Sequence, residues 1–562
     1  MQLIENENLS VVNIRHTLKK PSVLRSSRLA MVFPVLAFTL LPMADVSAAE
    51  GGPCYKIRRV QIQRLDVFED AKKEHWYYSL FQALHMTTRE SVVRRELLFA
   101  VNDCYDADLV AETERNLRSI KIFSEAIIKA VFNEEERVVD LTVVTYDRFT
   151  LRVNLGISRK GGINKLRASL GESNFLGLNK DFHYTYISSS DDSRIKRFAY
   201  RDPRLTNKLM VDLTYSSTDE GVFQALTIGN PYRRLEQPFA WLLHHSDDQT
   251  SSDLYTDGGD STEIPHNLKT LSLDWSRELG TKTLSKRLGF HAGYHSEGYT
   301  ETADISIPES TDKLPLFIQF RTRKRSGFTL RTGVDSLIKR EDIALHSGFV
   351  LGGGGEWRER ESGGHLHGLL NAGYSQVDTP TSNQLNASSI EGKVRFYAGE
   401  AKTTEFSGFY HHYFIREKVG TWVGGMALNY RFTKDDLYLP LTLGEDRGLR
   451  GYEAFTFTGN KLALLNLEHR YTYPVRSLHW GFGQVLFLDG GAAWKPGQSM
   501  DPSDLHWGAG LGFRLDNPSI LGKKVVRVDL AWPLDGGKPS ISFSLGQVFR
   551  HDRVNPGFDR DF

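Results

Sequence analysis

Leu151-Arg-Val-Asn-Leu-Gly-Ile-Ser158 carries an apolar side chain at every second position, with polar or small residues between. A period of two marks a β-strand with one apolar face. From Phe149 to about residue 549 that period persists with no helical break. Leu209, Val211, Leu213 and Tyr215 alternate with Met210, Asp212, Thr214 and Ser216. The same alternation recurs at residues 271–275, 465–471, 526–532 and 541–549, and Gly/Asp/Ser-rich turns such as 256–261 and 361–364 separate such runs. Tyr215, Trp275, Tyr473, Trp494, Trp532 and Phe549 end apolar runs, while Arg, Asp, Glu and Asn fill the opposite face. A water-soluble sandwich would also alternate, but about 200–250 residues is already large for one. This region runs to roughly 400 residues. Aromatic ends and a polar second face instead predict a transmembrane antiparallel β-barrel with a polar lumen. At ~25 residues for a strand and its share of loop, about 16 strands are expected.

Composition agrees once periodicity is read beside it. The chain has 562 residues, 70 Lys+Arg against 69 Asp+Glu, and a formal net charge of +1. That balance lacks the basic surplus of a nucleic-acid binder. A mean hydropathy of −0.37 excludes a polytopic helical membrane protein. No apolar run after residue 50 reaches the ~18 residues that a spanning helix needs. A barrel escapes that test, because alternating strands average to ordinary hydropathy.

Residues 1–49 read as a secretory signal peptide: Arg25 and Arg28 precede the apolar stretch 29–43, and Val46-Ser-Ala48 offers small residues for cleavage. Export permits a disulfide between the chain's two cysteines, Cys54 and Cys104, if the fold brings their Cα atoms within reach. Residues 50–148 differ from the strand-rich region after them. A strand-like run at 55–62 precedes helical spacing at 89–99 (Val92, Val93, Leu97, Leu98). A second helix is capped by Asp106, and strands come next at 123–132 and 138–146. The order β-α-α-β-β predicts a compact α+β module.

These features resemble the BamA/TamA superfamily of outer-membrane assembly and polypeptide-transport barrels, the bacterial surface antigen family. Such proteins carry periplasmic POTRA domains before a 16-stranded barrel. The module at 50–148 is similar to a single POTRA domain, and residues 105–117 to its second helix. Gly171-Glu-Ser-Asn-Phe-Leu-Gly-Leu-Asn179 and Tyr200-Arg-Asp-Pro-Arg-Leu205 resemble early barrel motifs. Gly448-Leu-Arg-Gly-Tyr452 resembles the Val-Arg-Gly-Phe/Tyr motif of the sixth extracellular loop, which folds into the lumen. The resemblance makes Arg450, Gly451 and Tyr452 that motif. Strand parity turns Glu468 and Asp489 inward, so the resemblance implies that Arg450 pairs with both. Arginine's planar fork suits carboxylate pairing, and Gly451 permits a tight backbone. The last strand, 540–549, resembles the family's C-terminal insertion signal through Ser544, Gly546 and Phe549. A tail, 550–562, extends past the point where family chains usually stop.

The expected organisation is therefore signal peptide 1–49, POTRA-like domain 50–148, barrel 149–549 and tail 550–562. The resemblance implies a bacterial outer-membrane protein, its N-terminal domain in the periplasm, that inserts client barrel proteins by strand templating at the seam between first and last strands. Lipid and client proteins are the expected partners, with a periplasmic partner possible through residues 55–148. A two-partner-secretion exporter or a passive channel are the alternatives. No P-loop or G-x-S-x-G elbow points to an enzyme, and no cofactor is expected. The pairs His244-His245 and His411-His412, and His365 with His367, lack the carboxylate or cysteine companions of a metal site.

Overall fold

Between Asp147 and Leu151 the backbone changes from one sheet to another. The computed structural model describes residues 54–66, 85–160, 163–189, 194–206, 208–219, 221–235, 237–258, 260–300, 307–416, 419–434, 436–473, 480–521 and 525–548. The signal-peptide, Phe549 and tail expectations lie outside these residues.

The N-terminal module comprises β1 (Lys56–Leu65), α1 (Glu90–Glu96), α2 (Ala107–Ser119), β2 (Phe123–Asn133) and β3 (Val138–Asp147). Its sheet order is β1-β3-β2, with β1 parallel and β2 antiparallel to β3. Ile57, Val92, Val93, Leu117, Ile122, Phe123, Val139 and Leu141 form its core. The Asp106 carboxylate caps α2, accepting from Asp108 N at 2.8 Å and Leu109 N at 3.2 Å. Helical spacing predicts one helix over 89–99, but α1 stops at Glu96. Beyond it, Leu98 N donates to Thr113 Oγ1 on α2 and Phe99 inserts into the core. Cys54 and Cys104 form a disulfide, with Cα atoms 5.6 Å apart.

The second sheet begins with strands of nine or ten residues: β4 (Leu151–Lys160), β5 (Ile163–Glu172), β6 (Asp181–Ser189), β7 (Arg194–Asp202), β8 (Met210–Thr218), β9 (Val222–Asn230) and β10 (Phe239–Asp248). After the short β11 (Ser251–Tyr255) they lengthen through β12 (Ser261–Glu278), β13 (Leu284–Tyr299), β14 (Thr311–Arg331) and β15 (Glu341–Arg360). Next come β16 (Gly363–Asp378), β17 (Gln384–Tyr397), β18 (Glu400–Arg416) and β19 (Gly420–Thr433). One long connection holds the two-stranded sheet of β20 (Leu441–Leu443) and β21 (Phe457–Gly459). The circuit ends with β22 (Lys461–Thr472), β23 (Gly481–Trp494), β24 (His506–Asp516), β25 (Val525–Pro533) and β26 (Ser540–Leu545), with α3 (Pro518–Leu521) between β24 and β25.

The strand order closes on itself: β9 pairs with β10, and β26 neighbours β4. Among the described residues, twenty strands make the circuit (β4–β10, β12–β19 and β22–β26), and β11 adds a short partner to β12. The expected 16 is thus an undercount. Its estimate of ~25 residues per strand suits the tall wall of β12–β19 but not the short hairpins of β4–β10.

Burial in the barrel is inside out. On β23, Phe482, Leu486 and Leu488 face outward and are exposed, whereas Val485, Phe487 and Asp489 face inward and are buried. Leu351, Trp357, Leu370 and Trp422 are likewise exposed, while Arg358, Arg450, Glu468 and Asp529 are buried. A sandwich in water would reverse this assignment. The outer wall suits an apolar solvent and the lumen a polar one.

Trp494 and the last strand also depart from expectation. Alternation predicts that Trp494 faces lipid, yet it is only 4 % exposed. The β23 end passes under the long connection, where Trp494 Nε1 donates to Asp504 Oδ2 at 2.7 Å and Gly459 crowds its backbone. The last strand, expected over 540–549, ends at Leu545. Gly546, at φ +94°, takes the chain out of strand geometry. Gln547 then turns in to accept from Arg514 Nε at 3.2 Å, and Val548 packs on a lumenal apolar cluster.

The module docks on one end of the barrel, against turns that include both early motifs. Asn174 Nδ2 donates to Met86 O and Thr88 Oγ1, each at 2.9 Å. Arg204 pairs with Glu96, and Glu112 accepts from Leu235 N at 2.8 Å. Arg118 forks onto Asp342, at 2.5 and 2.9 Å, and Arg340 meets Glu125 at 3.0 Å.

Candidate functional site: a loop pinned inside the barrel

The connection from β19 to β22, residues 434–460, leaves the barrel at the end opposite the module and folds back into the lumen. Arg450 is buried within it. The guanidinium grips Asp489 with two hydrogen bonds, Nε–Oδ2 at 2.6 Å and Nη2–Oδ1 at 2.8 Å. Arg450 Nη1 lies 2.7 Å from Glu468 Oε1, an ion pair without an aligned N–H bond. The cation also sits 3.5 Å above the centroid of the Phe487 ring. Arg450 is 1 % exposed and its partners are fully buried.

Adjacent strands set this geometry. Inward parity brings Glu468 from β22, Asp489 and Phe487 from β23, and Asp529 from β25 to one patch of wall. Asp529 is the residue that sequence reasoning missed. Its Oδ2 lies 3.7 Å from Arg450 Nη1, while Arg514 and Arg527 hold it at 2.6 and 3.1 Å. The signal was present in Val526-Arg-Val-Asp-Leu-Ala-Trp532, where the parity that turns Trp532 out turns Asp529 in. Glu468 is also bonded by Arg470 Nε at 2.7 Å. Asn466, likewise not singled out from sequence, donates to Asp489 at 2.6 Å and to Gly448 O at 2.8 Å. Four arginines thus share three carboxylates. Burying so many ions is tolerable only because each charge has a close partner of opposite sign.

The flanking motif residues fix the backbone. Gly451 adopts φ +99°, and a Cβ there would stand 3.1 Å from Pro533 N. Tyr452 Oη donates to Asp535 Oδ2 at 2.8 Å and lies 3.0 Å from Trp507 O. His506 joins the same Asp535 carboxylate at 2.5 Å. Burial alone would raise the Asp535 carboxyl, but His506 and Tyr452 hold it below its ordinary value.

Two further anchors carry no local sequence signal. Asp436, near the start of the loop, binds Arg395 at 2.6 Å, Lys313 at 3.3 Å and Arg358, all on other strands. Near its end, Thr458 donates through N and Oγ1 to Asp257 on the β11–β12 turn, and Phe455 stacks on Tyr255 with centroids 4.1 Å apart. The loop is tied to the wall on several sides.

Of the remaining site residues, Ser544 lies on β26, and Gly546 immediately after it. The histidine pairs do not converge. On β10 and β18 consecutive side chains face opposite ways; His244 meets Thr227 while His245 meets Thr270 O, and His412 meets Asn386. His365 and His367 bond separately to Tyr397 and Arg395.

No family model and no curated protein matches the chain. Among solved structures it is similar to BamA from Haemophilus ducreyi lacking POTRA domains 1–3, at 13% identity over 89% of this chain and 85% of that one, with a TM-score of 0.38. It is also similar to CdiB from Acinetobacter baumannii (12% identity, 88% and 74% covered, TM-score 0.42). CdiB from Escherichia coli matches at 11% identity, with 90% and 92% covered and a TM-score of 0.33. At these identities and scores the comparison adds no weight to either activity, and the fold rests on the strand order described above.

Proposed function

We propose that the chain is a bacterial outer-membrane factor that inserts client β-barrel proteins, with its N-terminal module in the periplasm as a single POTRA-like domain. The observation that carries this reading is the buried Arg450 cluster, which fixes a long loop inside a barrel with an apolar outer wall. A loop held by a buried ion network keeps its position while strands elsewhere rearrange. The Gly448–Tyr452 motif, the β-α-α-β-β order and the sequence resemblance of the early turns support the same reading. Client strands would add by edge pairing where β26, of six residues, meets β4, of ten, since the longer strand would offer edge groups for a new strand to pair. The partners are then lipid and nascent barrel proteins, and the chemistry is hydrogen-bond exchange without covalent catalysis.

Depletion of the protein followed by quantitative outer-membrane proteomics tests this. Loss of a defined set of barrel proteins, with photo-crosslinks from residues 55–148 to those same clients, is the expected result. Loss of one secreted polypeptide with the barrel inventory intact would replace insertion by export. An unchanged inventory would leave a passive channel.

A further inference from the structure

The connection between β14 and β15, residues 332–340, does not form an ordinary hairpin turn. Hairpins close with two to five residues and lie on the surface. Here Val334, Asp335, Ser336 and Leu337 are buried. They lie inside the lumen at the end that carries the module, against strands distant from their own. Val334 packs with Leu385, Tyr413 and Val423, the inward residues of β17, β18 and β19. Its carbonyl accepts from Arg470 Nη1 of β22 at 2.7 Å. Leu337 and Ile338 then pass close over Gly481 and Gly483 of β23: a Cβ on Gly481 would stand 2.9 Å from the Ile338 Cγ2 methyl, and one on Gly483 would touch Leu337 at 3.4 Å.

One carboxylate holds the far side. Asp516 Oδ2, at the end of β24, accepts from Ser336 Oγ and Leu337 N at 2.8 Å, and from Ile338 N at 3.2 Å. The near side is held by the module, through Arg340 to Glu125 and Asp342 to Arg118. Arg470 also binds Glu468, the partner of Arg450. A continuous set of contacts therefore runs from the module, through residues 332–340, to the pinned loop.

We propose that residues 332–340 are a strap that closes the lumen at the module end in the resting protein, with Asp516 as its latch. The module holds the strap in place, and displacement of the module from Arg340 and Asp342 releases it. This proposal rests on the reading of the chain as a membrane barrel, but not on which clients it serves.

The test is single-channel conductance of the full-length protein in planar bilayers, with heat-modifiable gel mobility as an independent measure of barrel formation. The parent protein is expected to stay mostly closed. Replacing residues 334–339 by a Gly/Ser hexapeptide should open it. Asp516→Ala should raise the open fraction at least about tenfold, the equilibrium factor of one charge-assisted hydrogen bond. A cysteine pair, Leu337→Cys with Gly481→Cys, guards against misfolded variants. The Cβ position at Gly481 lies 3.3 Å from Leu337 Cβ, close to disulfide separation. That pair should cross-link in membranes, lower conductance when oxidised and regain it on reduction. Variants that run as folded barrels with parental conductance, or a pair that never cross-links, overturn the strap. A parent chain that forms no heat-modifiable barrel overturns the strap and the membrane reading together.

Discussion

Arg450 stabilises its loop by sharing a buried patch with three carboxylates, so its loss would leave Asp489 without its cation. Removing one partner from a buried ion pair costs on the order of 3–5 kcal/mol. Arg450→Ala should accordingly lower the temperature at which the folded band converts to the unfolded one and, on the proposed function, reduce client insertion while leaving an assembled barrel. Arg450→Lys should recover only part of this, because an ammonium cannot make the bidentate grip on Asp489. Full insertion activity in the alanine variant would remove the loop from the mechanism. At this scale the sequence was informative where a motif met a strand parity. Arg450 could be named from the resemblance of Gly448–Tyr452 to a loop motif, and Glu468 and Asp489 because strand parity is local. Asp436 lies in an irregular segment whose partners come from three separate strands, and no local pattern pointed to them.

Among the elements, the contact between α2 and the start of β15 joins the module to the barrel. Burial works against the charge of Arg118, but Asp342 and Glu114 more than offset it and hold its proton above the ordinary value. Arg118→Asp should therefore speed hydrogen exchange at the 340–343 amides, and the added exchange Asp342→Arg should slow it again. Failure of the double variant to recover would show that the pair does not carry the docking. The clasp of Tyr452, His506 and Asp535 gives a pH dependence of defined sign. Because the Asp535 carboxyl is held low, its contribution is present above the unfolded value of about 4 and is lost as pH falls below it. Protease nicking within residues 451–458 should increase at about pH 3 relative to pH 6. Asp535→Asn should flatten that difference. The helix α1 and the strand β26 show what periodicity cannot see. Both are shorter than their periodicity predicts, since Thr113 captures the backbone after α1 and Gly546 turns the chain into the lumen.

For the whole molecule, the distribution of apolar residues is the physical statement that matters most. If the wall faces lipid, Leu486→Arg places a cation in the apolar belt and should cost about 2–4 kcal/mol on folding into liposomes, less if the site lies near an interface. If the wall faced water, the same change would be neutral and would raise solubility. Reversible folding into lipid vesicles distinguishes the two. The near-equality of 70 basic and 69 acidic residues now has a partial explanation. Many of these charges meet in the lumen, as Arg450, Arg470, Arg514 and Arg527 do with Glu468, Asp489 and Asp529.

The sequence by itself determined the class of wall, because a period of two over some 400 residues can only bury one face of each strand. It determined the order of the module's elements and which face each barrel carboxylate takes, because both depend on neighbours along the chain. Only the tertiary structure decided the strand count, the burial of Trp494, the arrival of Asp529 beside Arg450 and the path of residues 332–340 through the lumen. Those depend on which strands become neighbours when the sheet closes, and closure brings together residues that no local period relates.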